Sequence, residues 1–158
     1  MKVALRIASE QDASAVAEVL MSSRRCFIPY APMAHSPSEV RQWVKHTLIP
    51  SRRITVASAS EAVVGTLATS YPEGVAWIDQ LYVLPDFVGQ GVGSLLLKHA
   101  LESLSRPVRL YTFQANTGAS KFYERHGFRA IEFTDGSANE ERCPDVLYEL
   151  AASGENAA

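Results

Sequence analysis

The sequence predicts an α/β fold: a mixed, mostly antiparallel central sheet flanked by helices on both faces. Three observations lead there. Two amphipathic helical stretches follow a first strand before residue 50, and three β-rich runs joined by short connections fill residues 53–83. Extended and helical patterns then alternate through residue 133. Closely joined strands followed by strand–helix–strand units need a mixed sheet, and helices before and after it must cover both faces.

Composition sets the class of molecule. A chain of 158 residues, 47% apolar and 20% charged, is one globular domain, expected over residues 1–151 with a flexible tail at 152–158. The formal charge of −2 and the lack of any basic run speak against a nucleic-acid partner. Cys26 and Cys143 lie far apart with no C-x-x-C spacing, so reduced thiols and no metal site are expected. No signal-peptide pattern and no apolar stretch near the roughly 20 residues of a membrane span are present, which predicts a cytoplasmic protein with no membrane partner.

Val3, Leu5 and Ile7 alternate against Lys2, Ala4 and Arg6, which predicts an opening strand. Ser9 and Asp12 give a helix-start signal, with Ala13, Val16, Val19 and Leu20 following at helical spacing. Pro29 and Pro32 make residues 25–35 a loop. Ser36, Pro37 and Glu39 form a clearer capping box, opening a helix with Val40, Trp43, Val44 and Leu48 on one face until Pro50 stops it. Strands are expected at 53–59, 62–71 and 75–83, with Ser60-Glu61 and Pro72-Glu73-Gly74 as hairpin connections. A glycine-rich turn at 89–93 leads into a helix carrying Leu95, Leu96, His99 and Leu104, ended by Pro107. A strand at 108–113, a helix at 118–125 closed by Gly127, and strands at 128–133 and 146–150 complete the order. Residues 135–145 form a polar loop between the last two strands.

The glycine turn carries the first chemical signal. Gly89, Gly91 and Gly93 sit at alternate positions between a strand ending near Leu84 and a helix starting near Val92. Glycine lets the backbone turn sharply and lets an anion approach the amides, while the helix start adds unpaired N–H groups and a positive dipole end. The segment is a candidate phosphate cradle. A dinucleotide fingerprint starting at Gly89 would need glycine where Ser94 stands, and a Walker loop would need Gly-Lys, which never occurs here. Spacing therefore disfavours NAD and ATP.

The stretch from Leu81 to Leu96, with Val88-Gly89-Gln90-Gly91-Val92-Gly93 at its centre, resembles the acetyl-CoA signature of the GCN5-related N-acetyltransferase (GNAT) superfamily. That signature is [RQ]-x-x-G-x-[GA] after a strand and a proline, and Val88 stands where the superfamily usually has Arg or Gln. A second segment, Asn116 to Phe128, resembles N-x-x-A-x-x-F-Y-E-[KR]-x-G-F almost position for position. The resemblance covers nearly the whole chain, although the first 50 residues match in pattern only. It implies the GNAT-like acyl-CoA N-acyltransferase fold and acetyl transfer from acetyl-CoA, as cosubstrate, to a primary amine of a small molecule or peptide by direct attack in a ternary complex. Homodimerisation is common in the superfamily, but no interface is legible in this sequence.

Residue roles follow from that resemblance. Amides of Val88, Gly89, Gln90, Gly91, Val92, Gly93 and Ser94 are expected to cradle the pyrophosphate, with no arginine to reinforce them. Leu81 and Val83 offer strand amides to the thioester and pantetheine, and Asn116, Ala119 and Phe122 contact the cofactor arm. Tyr123 is the expected acid for the departing thiolate, since a phenol near pKa ~10 is protonated at neutral pH. Asp79 is a candidate base, placed on the face of Leu81 and Val83 by period-two alternation; the histone-acetylating branch has its acid at the position of Trp77. Tyr30, His35, Asp135 and Glu140 are candidates for contacting a cationic acceptor, with Glu39 and Glu141 beside them, while His46, His99 and His126 read as ordinary helix residues. A merely solvated loop at 134–141 is the alternative for the loop acids. A non-catalytic acyl-CoA-binding sensor is the alternative function, and Val88 lends it support.

Overall fold

A computed structural model describes residues 1–31 and 33–152; Pro32, expected in a loop, and residues 153–158 of the expected tail lie outside the described residues. Among the described residues, seven strands form one sheet in the order β1-β2-β3-β4-β5-β7-β6. They are β1 (Val3–Ile7), β2 (Ile54–Ala59), β3 (Ala62–Ser70), β4 (Ala76–Val83), β5 (Val108–Phe113), β6 (Arg129–Phe133) and β7 (Asp145–Leu150). Every neighbouring pair is antiparallel except β4 and β5, which run parallel. The mixed, mostly antiparallel sheet expected from the sequence is the sheet observed.

Helices cover both faces. On one side α1 (Ala13–Phe27) packs Val16, Leu20 and Met21, and the turn that follows α2 (Pro37–Trp43) packs Val44 and Leu48, against Ile54, Val56 and Ala68. On the other, α3 (Val92–Ser103) and α4 (Thr117–Arg125) set Val92, Leu96, Leu97, Ala100 and Tyr123 against Val64, Leu67, Ile78 and Leu110. Two separate apolar cores therefore sandwich the sheet.

Three expectations about the helices are corrected. The α1 helix continues to Phe27, beyond the loop expected from residue 25, because Pro29 restrains only Ile28 immediately before it. After α2 the chain passes through a π turn at Val44–Leu48 and a 3₁₀ turn at Ile49–Ser51. The buried stripe there follows Val44 and Leu48, and Trp43 stays 40% exposed. In α3 the buried positions are Val92, Leu96, Leu97 and Ala100, whereas Leu95 and His99 face outward. Gly65 fixes this rotation: a Cβ there would stand 3.0 Å from both Val92 Cγ1 and Leu96 Cδ1, so those two side chains lie directly on bare β3 backbone.

The start of α1 is clamped electrostatically. Asp12 accepts the Ser9 amide at 2.7 Å and receives Arg6 through two bonds, Nη1 to Oδ2 at 2.6 Å and Nη2 to Oδ1 at 2.9 Å. The guanidinium, helped by the Ser9 amide, lowers the Asp12 carboxyl to about 2. Cys26 and Cys143 are both free thiols. Among the described residues no helix is long and apolar enough to cross a membrane.

Candidate active site

The parallel pair at the middle of the sheet opens a gap. β4 and β5 are in register only at Ala76–Val108 and Trp77–Arg109, and beyond these two pairs the ladder stops. Which β4 amides face the gap follows from the other neighbour. The Leu84 N–H donates to the Val64 carbonyl at 2.8 Å, and the register pairs Tyr82 with Thr66. Amide direction alternates along an antiparallel ladder, so Tyr82 and Leu84 turn towards β3, and Leu81 and Val83 turn towards the gap.

The gap widens into a cleft of about 840 Å³. Its wall takes Asp79, Leu81 and Val83 from β4, and Val88, Gly89, Gly91, Gly93 and Ser94 from the glycine turn. Asn116, Ala119, Phe122 and Tyr123 come from α4 and its start. Residues far apart in sequence, singled out by two separate segments, thus meet on one surface.

Gly89 and Gly91 have φ of 81° and 87°, the left-handed region, and a Cβ on either would meet nothing within 4 Å. Backbone conformation, rather than crowding, is what demands glycine there. Gly91 is the N-cap of α3 and no side chain caps that helix. The amides of Val92, Gly93 and Ser94 in its first turn are therefore open donors at the positive dipole end, suited to an anion. Two side chains of this stretch are not on the wall. Gln90 turns back, its Nε2 donating to the Asp86 carbonyl at 3.0 Å, and Val92 is buried in the core. Both offer the cleft main chain only. Val88 is on the wall and 49% exposed.

Asn116 caps α4, its Oδ1 accepting from the Ala119 amide at 3.1 Å, which leaves its amide nitrogen for other contacts. Tyr123 is 8% exposed and boxed by Phe122, Phe128 and Tyr148, with ring centroids at 5.3, 5.8 and 6.3 Å. Its hydroxyl has no hydrogen-bond partner among the described residues. Burial, with a smaller contribution from Tyr82, raises the Tyr123 phenol well above its usual value, so it stays protonated.

Asp79 is on the wall, but strict alternation does not put it there. The β3–β4 register jumps from Ala68–Gln80 to Thr69–Ile78, which leaves Asp79 as the extra residue of a β-bulge. Ile78 and Leu81, three positions apart, consequently reach the same core. The Asp79 carboxylate accepts from Ser70 Oγ at 3.0 Å. Asp79 is exposed towards the cleft, yet the desolvation it meets there raises its pKa above the ordinary carboxylate value, against the opposing pull of Ser70 and Arg53.

The four residues expected at the acceptor end are not on the wall. Tyr30 packs edge-on against Phe113 with centroids 6.4 Å apart. His35 lies between Glu39 at 3.8 Å and Glu140 at 3.3 Å on the exposed surface, which accounts for both His35 and Glu140. Asp135 caps its own turn by accepting the Ser137 amide at 2.9 Å. The loop from Thr134 to Asp145 instead presents Thr134, Ala138, Asn139, Glu141 and Asp145 to the cleft. It is a fastened structure and not a solvated tract: Asn139 Nδ2 donates to Cys143 O at 2.7 Å and to Asp145 Oδ2 at 3.1 Å, and Thr134 Oγ1 donates to Asp145 Oδ1.

Arg24 and Arg125 also line the cleft and were missed in the sequence. The available signal for Arg24 was its position: Ala17, Leu20 and Met21 run straight into it at helical spacing, so a charge falls on an apolar stripe. Arg125 holds its guanidinium carbon 5.9 Å from the Phe122 ring. Among the described residues no group of three His, Cys, Asp or Glu is placed to hold a metal ion.

Taken together the cleft offers open helix-start amides, free strand amides, a buried phenol and a carboxylate. The model of the acetyltransferase (GNAT) family matches residues 16–128. An uncharacterised N-acetyltransferase of Escherichia coli, YafP, is 29% identical over 107 residues, covering 65% of this chain and 67% of that protein. An uncharacterised N-acetyltransferase of Methanocaldococcus jannaschii is 39% identical over 66 residues, but that match spans only 39% of this chain and 29% of the archaeal protein. Among solved structures, the PaiA N-acetyltransferase of Thermoplasma acidophilum in complex with coenzyme A superposes with a TM-score of 0.77 at 22% identity, over 96% of this chain and 100% of that one. Apo YjaB of Escherichia coli gives a TM-score of 0.76 at 20% identity, over 95% and 98%. With the family match extending from α1 through the glycine turn and α4, this chain belongs to the GNAT family of acetyltransferases.

Proposed function

We propose that the protein transfers an acetyl group from acetyl-CoA to a primary amine of a small molecule or peptide, by direct attack in a ternary complex. The observation that carries this reading is Tyr123: a buried phenol, held protonated, with an unpartnered hydroxyl on the same wall as the glycine-turn amides and the splayed strand. The donor set fits acetyl-CoA. Open amides at Val92, Gly93 and Ser94 suit a pyrophosphate, and the Leu81 and Val83 amides suit a carbonyl and a pantetheine chain lying in the gap.

In this reading the amine nitrogen bonds to the thioester carbonyl carbon and the C–S bond breaks. Between them the Leu81 and Val83 amides hold the carbonyl oxygen as it gains charge and the pantetheine chain that leads to it. Tyr123 gives its proton to the departing sulfur, and Asp79, directly or through water, takes the proton the amine loses. Bringing both reactants into one cleft supplies the orientation.

The test is release of free thiol from acetyl-CoA across a broad amine panel, with wild type and Tyr123→Phe side by side. Amine-dependent release that falls about a hundredfold in the variant supports the reading. Val88 favours a second reading, a CoA-binding sensor, because no side chain at that position reinforces phosphate binding. A melting temperature raised by acetyl-CoA, with no amine-dependent thiol release from either form, would select the sensor.

A further inference from the structure

Two residues of the cleft wall each hold one buried polar atom without a hydrogen-bond partner. Arg24, near the end of α1, has a side chain only 13% exposed, and its Nη2 is buried without a hydrogen bond. Glu141 Oε1 stands 3.6 Å from it, close enough to attract but too far to accept a bond. Gln80, in β4, has its Oε1 buried and equally unpartnered on the same wall. The third such atom, Thr66 Oγ1, is not on the wall. Burying a guanidinium beside a single carboxylate that stands beyond bonding distance is costly, so an arginine in this state on a cleft wall points to a ligand that completes it.

Arg24 and Glu141 come from α1 and the 134–145 loop, which carry no residue of the glycine turn or of the Asn116–Phe128 segment. This part of the wall is left over once the coenzyme has its donors. A guanidinium is a planar fork of N–H groups that matches a carboxylate in paired bonds. A doubly charged phosphate fits less well, since Glu141 and Asp145 already place negative charge on the same wall. Gln80 Oε1 in turn suits an N–H donor on the same molecule.

Resting on the acetyl-transfer reading, we propose that the acceptor amine is an amino acid or a close amino-carboxylate, and that Arg24 binds its carboxylate and sets this specificity. Glu141 orients the guanidinium while Gln80 accepts from the amine end.

The experiment measures kcat and KM by thiol release for free amino acids, for their matched carboxamides and for aliphatic diamines, in wild type and Arg24→Gln. Wild type is expected to favour the acid over its carboxamide by about ten- to a hundredfold in kcat/KM, chiefly through KM. Arg24→Gln is expected to bring that ratio towards one, and Arg24→Lys to restore part of it. Equal rates for acids and carboxamides in wild type, a preference for diamines, or an unchanged ratio in Arg24→Gln overturns the proposal and leaves acetyl transfer standing. If Arg24→Gln does not fold, the wild-type ratio alone decides. Calorimetric binding of acetyl-CoA with no turnover of any amine overturns the acetyl-transfer reading itself, and the proposal with it.

Discussion

A Cβ on Gly93 would lie 3.5 Å from Cε1 and Cζ of the Phe122 ring. The first turn of α3 and the middle of α4 therefore leave room for little more than a methyl group between them, and the two sequence segments that drew attention separately line one wall. Gly93→Val should push Phe122 out of place without any backbone strain of its own, since Gly93 is not in the left-handed region. Acetyl-CoA affinity, measured by calorimetry, is expected to fall about tenfold, while far-UV circular dichroism stays native.

Ser70 tunes Asp79. Its hydroxyl stabilises the charged carboxylate, so Ser70→Ala should raise an Asp79 pKa that desolvation has already raised. If Asp79 is the base, activity grows as it ionises, and the acidic limb of the kcat/KM profile moves to higher pH in Ser70→Ala. Asp79→Asn should remove that limb. A limb unmoved by either substitution would assign proton removal to another group or to water.

The clamp at the start of α1 gives stability a defined pH dependence. The folded pKa of Asp12, about 2, lies below its ordinary value of 3.8. A depressed carboxylate contributes fully above the unfolded pKa and loses its contribution as pH falls through the folded one. Stability should therefore decline between pH 4 and pH 2 in wild type, and less steeply in Asp12→Asn. At pH 7 the substitution should cost about 1 to 2 kcal/mol, the solvated side of Arg6 screening part of the pair. Chemical denaturation at several pH values measures both.

Gly136 holds the loop closed. Its φ is 84°, and a Cβ would stand 2.4 Å from the Cys143 carbonyl carbon. Gly136→Ala should cost about 2 kcal/mol or more and loosen the residues from Thr134 to Asp145. Faster hydrogen exchange confined to that loop, with weaker acceptor binding and unchanged acetyl-CoA binding, is the expected outcome.

Much of this arrangement was legible because it rests on local constraints. Gly89 and Gly91 announce a left-handed backbone, Asn116 announces a helix start, and the alternation of β1 with the β-rich runs of β2 and β3 announces a sheet. What was not legible depends on partners across space. The bulge at Asp79 is a property of the β3–β4 register, which no single strand records. The rotation of α3 comes from Gly65 on another strand. Of the three acids that composition suggested in the 134–145 loop, Asp135 is spent on its own turn and Glu140 on His35, and Glu141 is the one that reaches the wall, beside Asn139.

The glycine turn and the splayed strand together make the proposed acetyl-CoA site. Calorimetric titration of acetyl-CoA into wild type and into Gly91→Val tests it most directly. A side chain at a φ of 87° forces the N-cap out of its conformation and misaims the first-turn amides of α3. Wild type should bind one acetyl-CoA per chain, and the folded variant at least about tenfold more weakly. No binding to wild type at millimolar acetyl-CoA, or equal binding to both, would contradict it.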